Sequence, residues 1–139
     1  MAGRIKKSRP PKQKHVTSLE ANFMRIWDMV NKTELIPQYQ LRPCLPRQFR
    51  CDVCFAHARV AVELEGGIFM KDRNKGHASP KELLASIEKN NHMVLRGWRI
   101  LRYTSIDLKK RPVQVIEEII QLVESSKAWG PSQKPLFKE

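Results

Sequence analysis

Three carboxylates stand where two short strands could bring them to one side: Asp52 in Gln48-Phe-Arg-Cys-Asp-Val-Cys-Phe55, and Glu63 and Glu65 in Arg59-Val-Ala-Val-Glu-Leu-Glu65. If the chain reverses through Ala56-His57-Ala58-Arg59, Phe55 lies opposite Val60, Val53 opposite Val62 and Asp52 opposite Glu63. Side chains alternate across a sheet. Cys51, Val53, Phe55, Val60, Val62 and Leu64 then form a uniform apolar face, and Arg50, Asp52, Cys54, Ala61, Glu63 and Glu65 form the other. One face this apolar fixes the register. Like charges set opposite each other destabilise a sheet, so three acids in one place call for a counter-ion. A hard divalent cation, Mg²⁺ or Mn²⁺, suits oxygen ligands and also takes phosphate oxygens. The plainer alternative is a solvated sheet face whose acids pair with Arg50 or nearby lysines.

The chain as a whole points to a phosphate-bearing partner. It has 139 residues and a formal net charge of +12, with 26 Lys and Arg against 14 Asp and Glu. Such an excess on a small domain favours a polyanion, and nucleic acid fits better than an anionic membrane, because no strongly basic amphipathic helix is apparent. Charge alone does not separate a DNA enzyme from a ribosome-associated or other RNA-binding protein. No apolar run approaches the roughly 20 residues of a membrane span, and Met-Ala-Gly-Arg-Ile-Lys-Lys is not followed by the apolar segment of a secretory signal. A cytoplasmic protein, of a bacterial cell or a phage-infected host, is the simplest expectation. Cys44, Cys51 and Cys54 do not make a secreted disulfide framework. Together with His57 they could be zinc ligands. Residues three apart on a strand should point to opposite faces, which argues against zinc and for core packing of Cys51.

The elements that would position the acids follow from periodicity and caps. Residues 1–16 read as a basic disordered arm. Thr17-Ser-Leu-Glu20 is a capping-box pattern, and Leu19, Phe23, Ile26, Trp27 and Val30 recur at helical spacing behind it. Pro37, Pro43 and Pro46 make the next stretch a loop or short edge strand. The two acidic segments form a hairpin closed by Gly66-Gly67, and residues 68–78 form a polar, basic loop. Ser79, Pro80 and Glu82 open a second helix, whose inward stripe should be Leu83, Leu84, Ile87, Val94 and Leu95, and Gly97 ends it. Residues 98–103 alternate as a strand. A last helix spans about 111–126 with Val113, Ile116, Ile119, Ile120 and Val123 inward, before a flexible tail over 127–139. Trp27, Trp98 and Phe23 belong to the core. The expected fold is α/β, a mixed β-sheet flanked by helices in the order α-β-β-β-α-β-α, over one domain at 17–126.

Taken together, Phe49-Arg-Cys-Asp52, Val62-Glu-Leu-Glu-Gly-Gly67, Gly76-His77, Glu88-Lys-Asn-Asn91 and Gly97-Trp-Arg-Ile-Leu-Arg102 resemble the PD-(D/E)xK nuclease superfamily, in a phage and bacterial branch akin to very-short-patch repair endonucleases. The match covers roughly residues 17–125. It implies a restriction-endonuclease-like sheet and Mg²⁺- or Mn²⁺-assisted hydrolysis of DNA, with Asp52 and Glu63 as metal ligands. The superfamily's usual lysine would fall at Glu65, which would instead hold a second metal or accept the proton of the attacking water. Lys89 matches a lysine of this branch and could take over its role. Glu20 matches an acid that contacts metal through water. His77 matches a histidine able to orient water or protonate the leaving oxygen. Arg47, Arg50, Lys71, Arg73, Lys75, Lys81 and Arg99 are candidates for DNA phosphate contacts. Two substrates compete, a nicked, mismatched or simple duplex and a four-way junction, the last cut by a homodimer as in the Holliday-junction resolvases of this superfamily; small size, high charge and the lack of a recognition domain lean towards structure-selective cutting. The competing expectation is a non-catalytic nucleic-acid-binding protein that keeps the fold.

Overall fold

The computed structural model describes residues 17–66 and 79–125. Residues 1–16, 67–78 (with Lys71, Arg73, Lys75 and His77) and 126–139 lie outside them, and with them the expected basic arm, loop and tail.

Helix α1 (Ser18–Val30) starts where the capping pattern places it. The Thr17 hydroxyl accepts the Glu20 amide at 3.2 Å. Glu20 does not complete the box, because its carboxylate turns inward and accepts from the Gln40 side chain. Strand β1 (Gln38–Leu41) is a short edge strand, followed by β2 (Cys51–Phe55), a 3-10 turn at Ala56–Ala58 and β3 (Val60–Glu65). Helix α2 (Pro80–Leu95) then crosses to β4 (Arg99–Thr104), and two helices follow, α3 (Ser105–Lys110) and α4 (Pro112–Ser125). The single last helix expected from 111 is thus preceded by a short extra one, held by its own capping box between Thr104 and Asp107.

The sheet order is β1-β2-β3-β4, antiparallel over the first three strands and parallel between β3 and β4. The hairpin register is the expected one, with Val53 opposite Val62 and Phe55 opposite Val60. The turn closes through Arg59 in the left-handed region, φ 51°. Arg59 also fastens the far end of α2. Its guanidinium donates to the Arg96 carbonyl at 2.9 Å, and its own carbonyl accepts the Arg99 amide.

One sheet face carries the main core. Phe23, Ile26 and Trp27 of α1 and Val115, Ile116, Ile119 and Val123 of α4 pack on Val53, Phe55, Val60, Val62 and Tyr103. Trp27 sits between two phenylalanines, 6.2 Å from Phe23 and 5.3 Å from Phe55. Val113, expected inward, is exposed, and Ile120 is only partly buried against this core. Around the core's margin, Tyr103 donates to Glu118 at 2.6 Å, and Arg111 bridges Glu118 and Asp107, tying α3 and α4 to β4.

The opposite face carries a smaller cluster of Cys44, Cys51, Cys54, Ala61, Met93 and Trp98. Here two expectations fail. Cys51 and Cys54 do not take opposite faces: both lie in this cluster, and the Cys51 thiol meets the Met93 sulfur at 3.6 Å. The regular alternation ends at Asp52. There the Asp52 carboxylate receives the Leu64 amide at 2.9 Å, and the paired residues of β2 and β3 stop at Val53 and Val62. Gln40, the β1 residue beside Asp52, is left-handed at φ 55°. None of the three cysteines is in a disulfide, and the hydrogen bond to Cys51, with burial, keeps the Cys54 thiol well above its usual range. His57 is exposed at the turn, beside Thr33–Ile36 rather than the sulfurs.

The second failure is α2. Leu83, Leu84, Ile87, Val94 and Leu95 are exposed, and Met93 is the buried residue of this helix. The period was right and the facing was wrong. Met93 and Lys89 are the residues turned to the sheet.

Candidate active site

Glu63 is the centre of the site. It lies on β3, an interior strand, so a sheet neighbour flanks it on either side and only 12% of its side chain is exposed. Its Oε1 accepts from the Lys89 Nζ at 2.5 Å, and the same Nζ donates to the Arg50 carbonyl at 2.5 Å. Lys89 thus ties the crossover helix to β3 and to the residue that precedes β2. Asp52 stands beside Glu63, near enough for its charge to act on it, while its own Oδ2 accepts the Leu64 amide at 2.9 Å. Burial first, and then the Asp52 carboxylate, push the Glu63 carboxyl up to about 7, against the opposing pull of the Lys89 ammonium. An ordinary glutamate titrates far lower. A group so displaced by burial and a like-charged neighbour is the kind found at reaction centres.

Glu20 reaches the same end of the sheet from α1. It is 5% exposed, its Oε1 accepts from the Gln40 Nε2 at 2.6 Å, and its Oε2 is buried with no hydrogen-bond partner. An unpartnered buried carboxylate oxygen costs on the order of 1–3 kcal/mol or more. Gly66, at the end of β3, lies against Leu19, where an added Cβ would meet the leucine at 3.2 Å. The first turn of α1 therefore sits tightly over the acidic end of β3. Gln40 was not legible as a site residue: its role depends on a left-handed backbone that no local pattern signals. Gln40→Ala would leave both Glu20 oxygens buried without a donor. The expected cost is about 1–3 kcal/mol, checked by urea unfolding of the two proteins at pH 7.

Glu65 is the weakest of the predicted acids. It is on the same strand as Glu63 but about half exposed, and it pairs with Arg102 at 3.2 Å. Arg102 is the β4 residue in register with Glu63, a partner that strand alternation could have supplied. Among the described residues, no group of three His, Cys, Asp or Glu side chains is gathered closely enough to hold a metal ion. The structure brings Asp52, Glu63 and Lys89 together, places Glu20 near them through Gln40, and turns Glu65 towards Arg102.

The candidate phosphate contacts divide. Arg50 and Lys81 are exposed. Arg47 pairs with Glu88 and lies over the Phe49 ring, 4.7 Å from its centroid. Arg99 donates to Ser125 and to the Leu122 carbonyl and so holds the end of α4. No helix among the described residues is long and apolar enough to cross a membrane.

No protein-family model and no curated protein matches the chain. Among solved structures, the fold is similar to that of the catalytic domain of the homing endonuclease I-Bth0305I, with a TM-score of 0.55 and 14% sequence identity, over 79% of this chain and 97% of that one. At that identity the likeness is one of fold alone, here a four-stranded mixed sheet flanked by helices.

Proposed function

We propose that the chain is a metal-dependent DNA endonuclease of the PD-(D/E)xK type that hydrolyses phosphodiester bonds. The observation that carries this reading is the Asp52–Glu63–Lys89 arrangement: two adjoining carboxylates, and a lysine held on the buried one, Glu63. A nuclease-domain fold supports it. So does the net charge of +12, which suits a phosphate backbone.

The donor set fits a hard cation such as Mg²⁺ or Mn²⁺. Asp52 and Glu63 would offer the carboxylate oxygens, enough for a Mg²⁺ that keeps several waters, and the Glu20 Oε2, buried without a donor, would meet the ion only through such a water. When bound, such an ion lowers the pKa of a water and stabilises charge on the attacked phosphate. The chain's own residues do the rest. Glu63, raised in the metal-free protein chiefly by burial, would give up its proton on taking the ion and serve as a ligand rather than as the base. Lys89, fixed by the Arg50 carbonyl, is placed beside Glu63 to offset charge growing on a phosphate. Glu65, paired with Arg102, would contribute to proton transfer or phosphate orientation, a role the resemblance also gives His77. Arg50, Lys81, Lys71, Arg73 and Lys75 would align the backbone of the DNA.

The test is the purified protein with and without Mg²⁺ on linear, nicked, flapped and four-way-junction DNA. Cleavage that requires the metal and prefers a branched substrate is expected. Binding without metal-dependent cutting on any substrate would favour the second reading, a nucleic-acid-binding protein that keeps the fold, for which Glu65 in the usual lysine position speaks. Either reading predicts a steep salt dependence. Affinity should fall about tenfold over a fourfold rise in salt for every two phosphates neutralised, measured by fluorescence anisotropy in EDTA, and a flat profile contradicts the basic-surface argument.

A further inference from the structure

The outward face of α2 has no function in the reading above. Leu83, Leu84, Ile87, Val94 and Leu95 are 43–67% exposed. At 3.6 residues per turn they fall, with Asn91, within about a third of the helix circumference. Lys89 and Met93 lie on the opposite side and hold the helix to the sheet. The helix cannot roll to bury the stripe without pulling Lys89 from Glu63 and Met93 from Cys51.

We infer that this stripe is the contact surface for a second copy of the chain, packed helix against helix about a two-fold axis. Three features select this occupant. The five side chains together leave on the order of 500 Å² of apolar surface per copy, above the few hundred Å² normal for a monomer. Two copies would bury roughly 1,000 Å² from these residues alone, the threshold of a specific interface. The stripe carries no charge, so nucleic acid gains nothing there, whereas two chains of net charge +12 can approach along it without setting cation against cation. The stripe is also self-complementary, as a two-fold contact requires. Leu83 and Leu84 sit near one end and Val94 and Leu95 near the other, with Ile87 and Asn91 between. An antiparallel copy sets leucines over Leu95 and Val94 and Ile87 beside Asn91. A lone asparagine in an apolar helix seam is a known device for fixing register and copy number.

The experiment is sedimentation velocity of the full chain from about 1 to 100 µM in 0.5 M salt, which keeps nucleic acid off. A concentration-dependent dimer is expected. The Leu84→Lys/Leu95→Lys double variant should raise the dimer dissociation constant at least tenfold with little change in the monomer's far-UV spectrum. An equimolar mixture of the Ile87→Cys and Asn91→Cys variants should form a disulfide-linked heterodimer under mild oxidation, since the native thiols are buried. A wild type that stays monomeric at 100 µM overturns the inference. So does a double variant that dimerises as well as wild type. A monomeric wild type whose melting temperature falls in the double variant would show instead that the chain's own residues 126–139 or 67–78 cover the stripe. None of these readouts depends on nuclease activity.

Discussion

Glu63→Ala is expected to lower Mg²⁺-dependent cleavage at least about 10³-fold, the scale of losing a group that acts on transition-state charge, with DNA affinity within a few-fold of wild type. The second half matters as much as the first. A loss of both would mean that the acid merely holds the sheet together. Glu63→Gln separates these further, because it keeps the shape and removes the charge. In the metal-free protein the Glu63 carboxyl sits at about 7, against 4.5 for an unperturbed glutamate, chiefly through burial. Folding therefore favours its neutral form. The stability this group contributes is complete below about 4.5 and is lost as the pH climbs through 7, by up to roughly 3 kcal/mol for a displacement of this size. The glutamine variant loses none of it, and Lys89 keeps the Arg50 carbonyl. In EDTA at pH 8 it should melt several degrees above wild type, and Mg²⁺ should narrow the gap by stabilising wild type alone. Thermal melts at pH 5 and 8, with and without Mg²⁺, decide it. A wild type that gains stability on the variant between pH 5 and 8 in EDTA contradicts the burial argument.

The second large effect is expected at Lys89. Lys89→Met keeps the length of the side chain over the sheet and removes the ammonium shared by Glu63 and the Arg50 carbonyl. Removing one partner of a mostly buried pair leaves the other charge uncompensated. At pH 8 the variant should lose about 2 kcal/mol, less than for a fully buried pair because Lys89 is 20% exposed. At pH 5, with Glu63 neutral, most of that penalty should vanish. Cleavage should fall about 10²-fold, in kcat more than in KM, if the lysine acts on developing charge. Urea titrations at the two pH values give the stability arm. A penalty equal at both would show that the lysine contributes packing and not charge.

The hairpin was readable because Val53, Phe55, Val60 and Val62 leave only one register that buries them. The same logic correctly set Asp52 beside Glu63. It failed one residue further out, at Cys51, because strand alternation assumes a ladder that continues and here the Asp52 side chain ends it. Helix α2 shows a different limit. Its period identified which residues share a face, but nothing in a period says which way that face turns; that was set by Lys89 and Met93 meeting partners 26 and 42 positions away in the chain. Glu20 was found through resemblance, and its bond to Gln40 spans 20 positions. Long-range polar contacts of this kind leave no local trace.

The hold of Arg59 on the last turn of α2 has a mechanical consequence. The helix is fastened at its C-terminal end, where Arg59 holds the Arg96 carbonyl and Met93 is buried, while its first two turns bury no side chain. A rod clamped at one end bends most at the other, so amide exchange should be slow around Met93 and quicken steadily towards Leu83. Lys89 lies between the clamp and the free end, where small flexing of the rod would draw the ammonium from Glu63 and return it without melting the sheet.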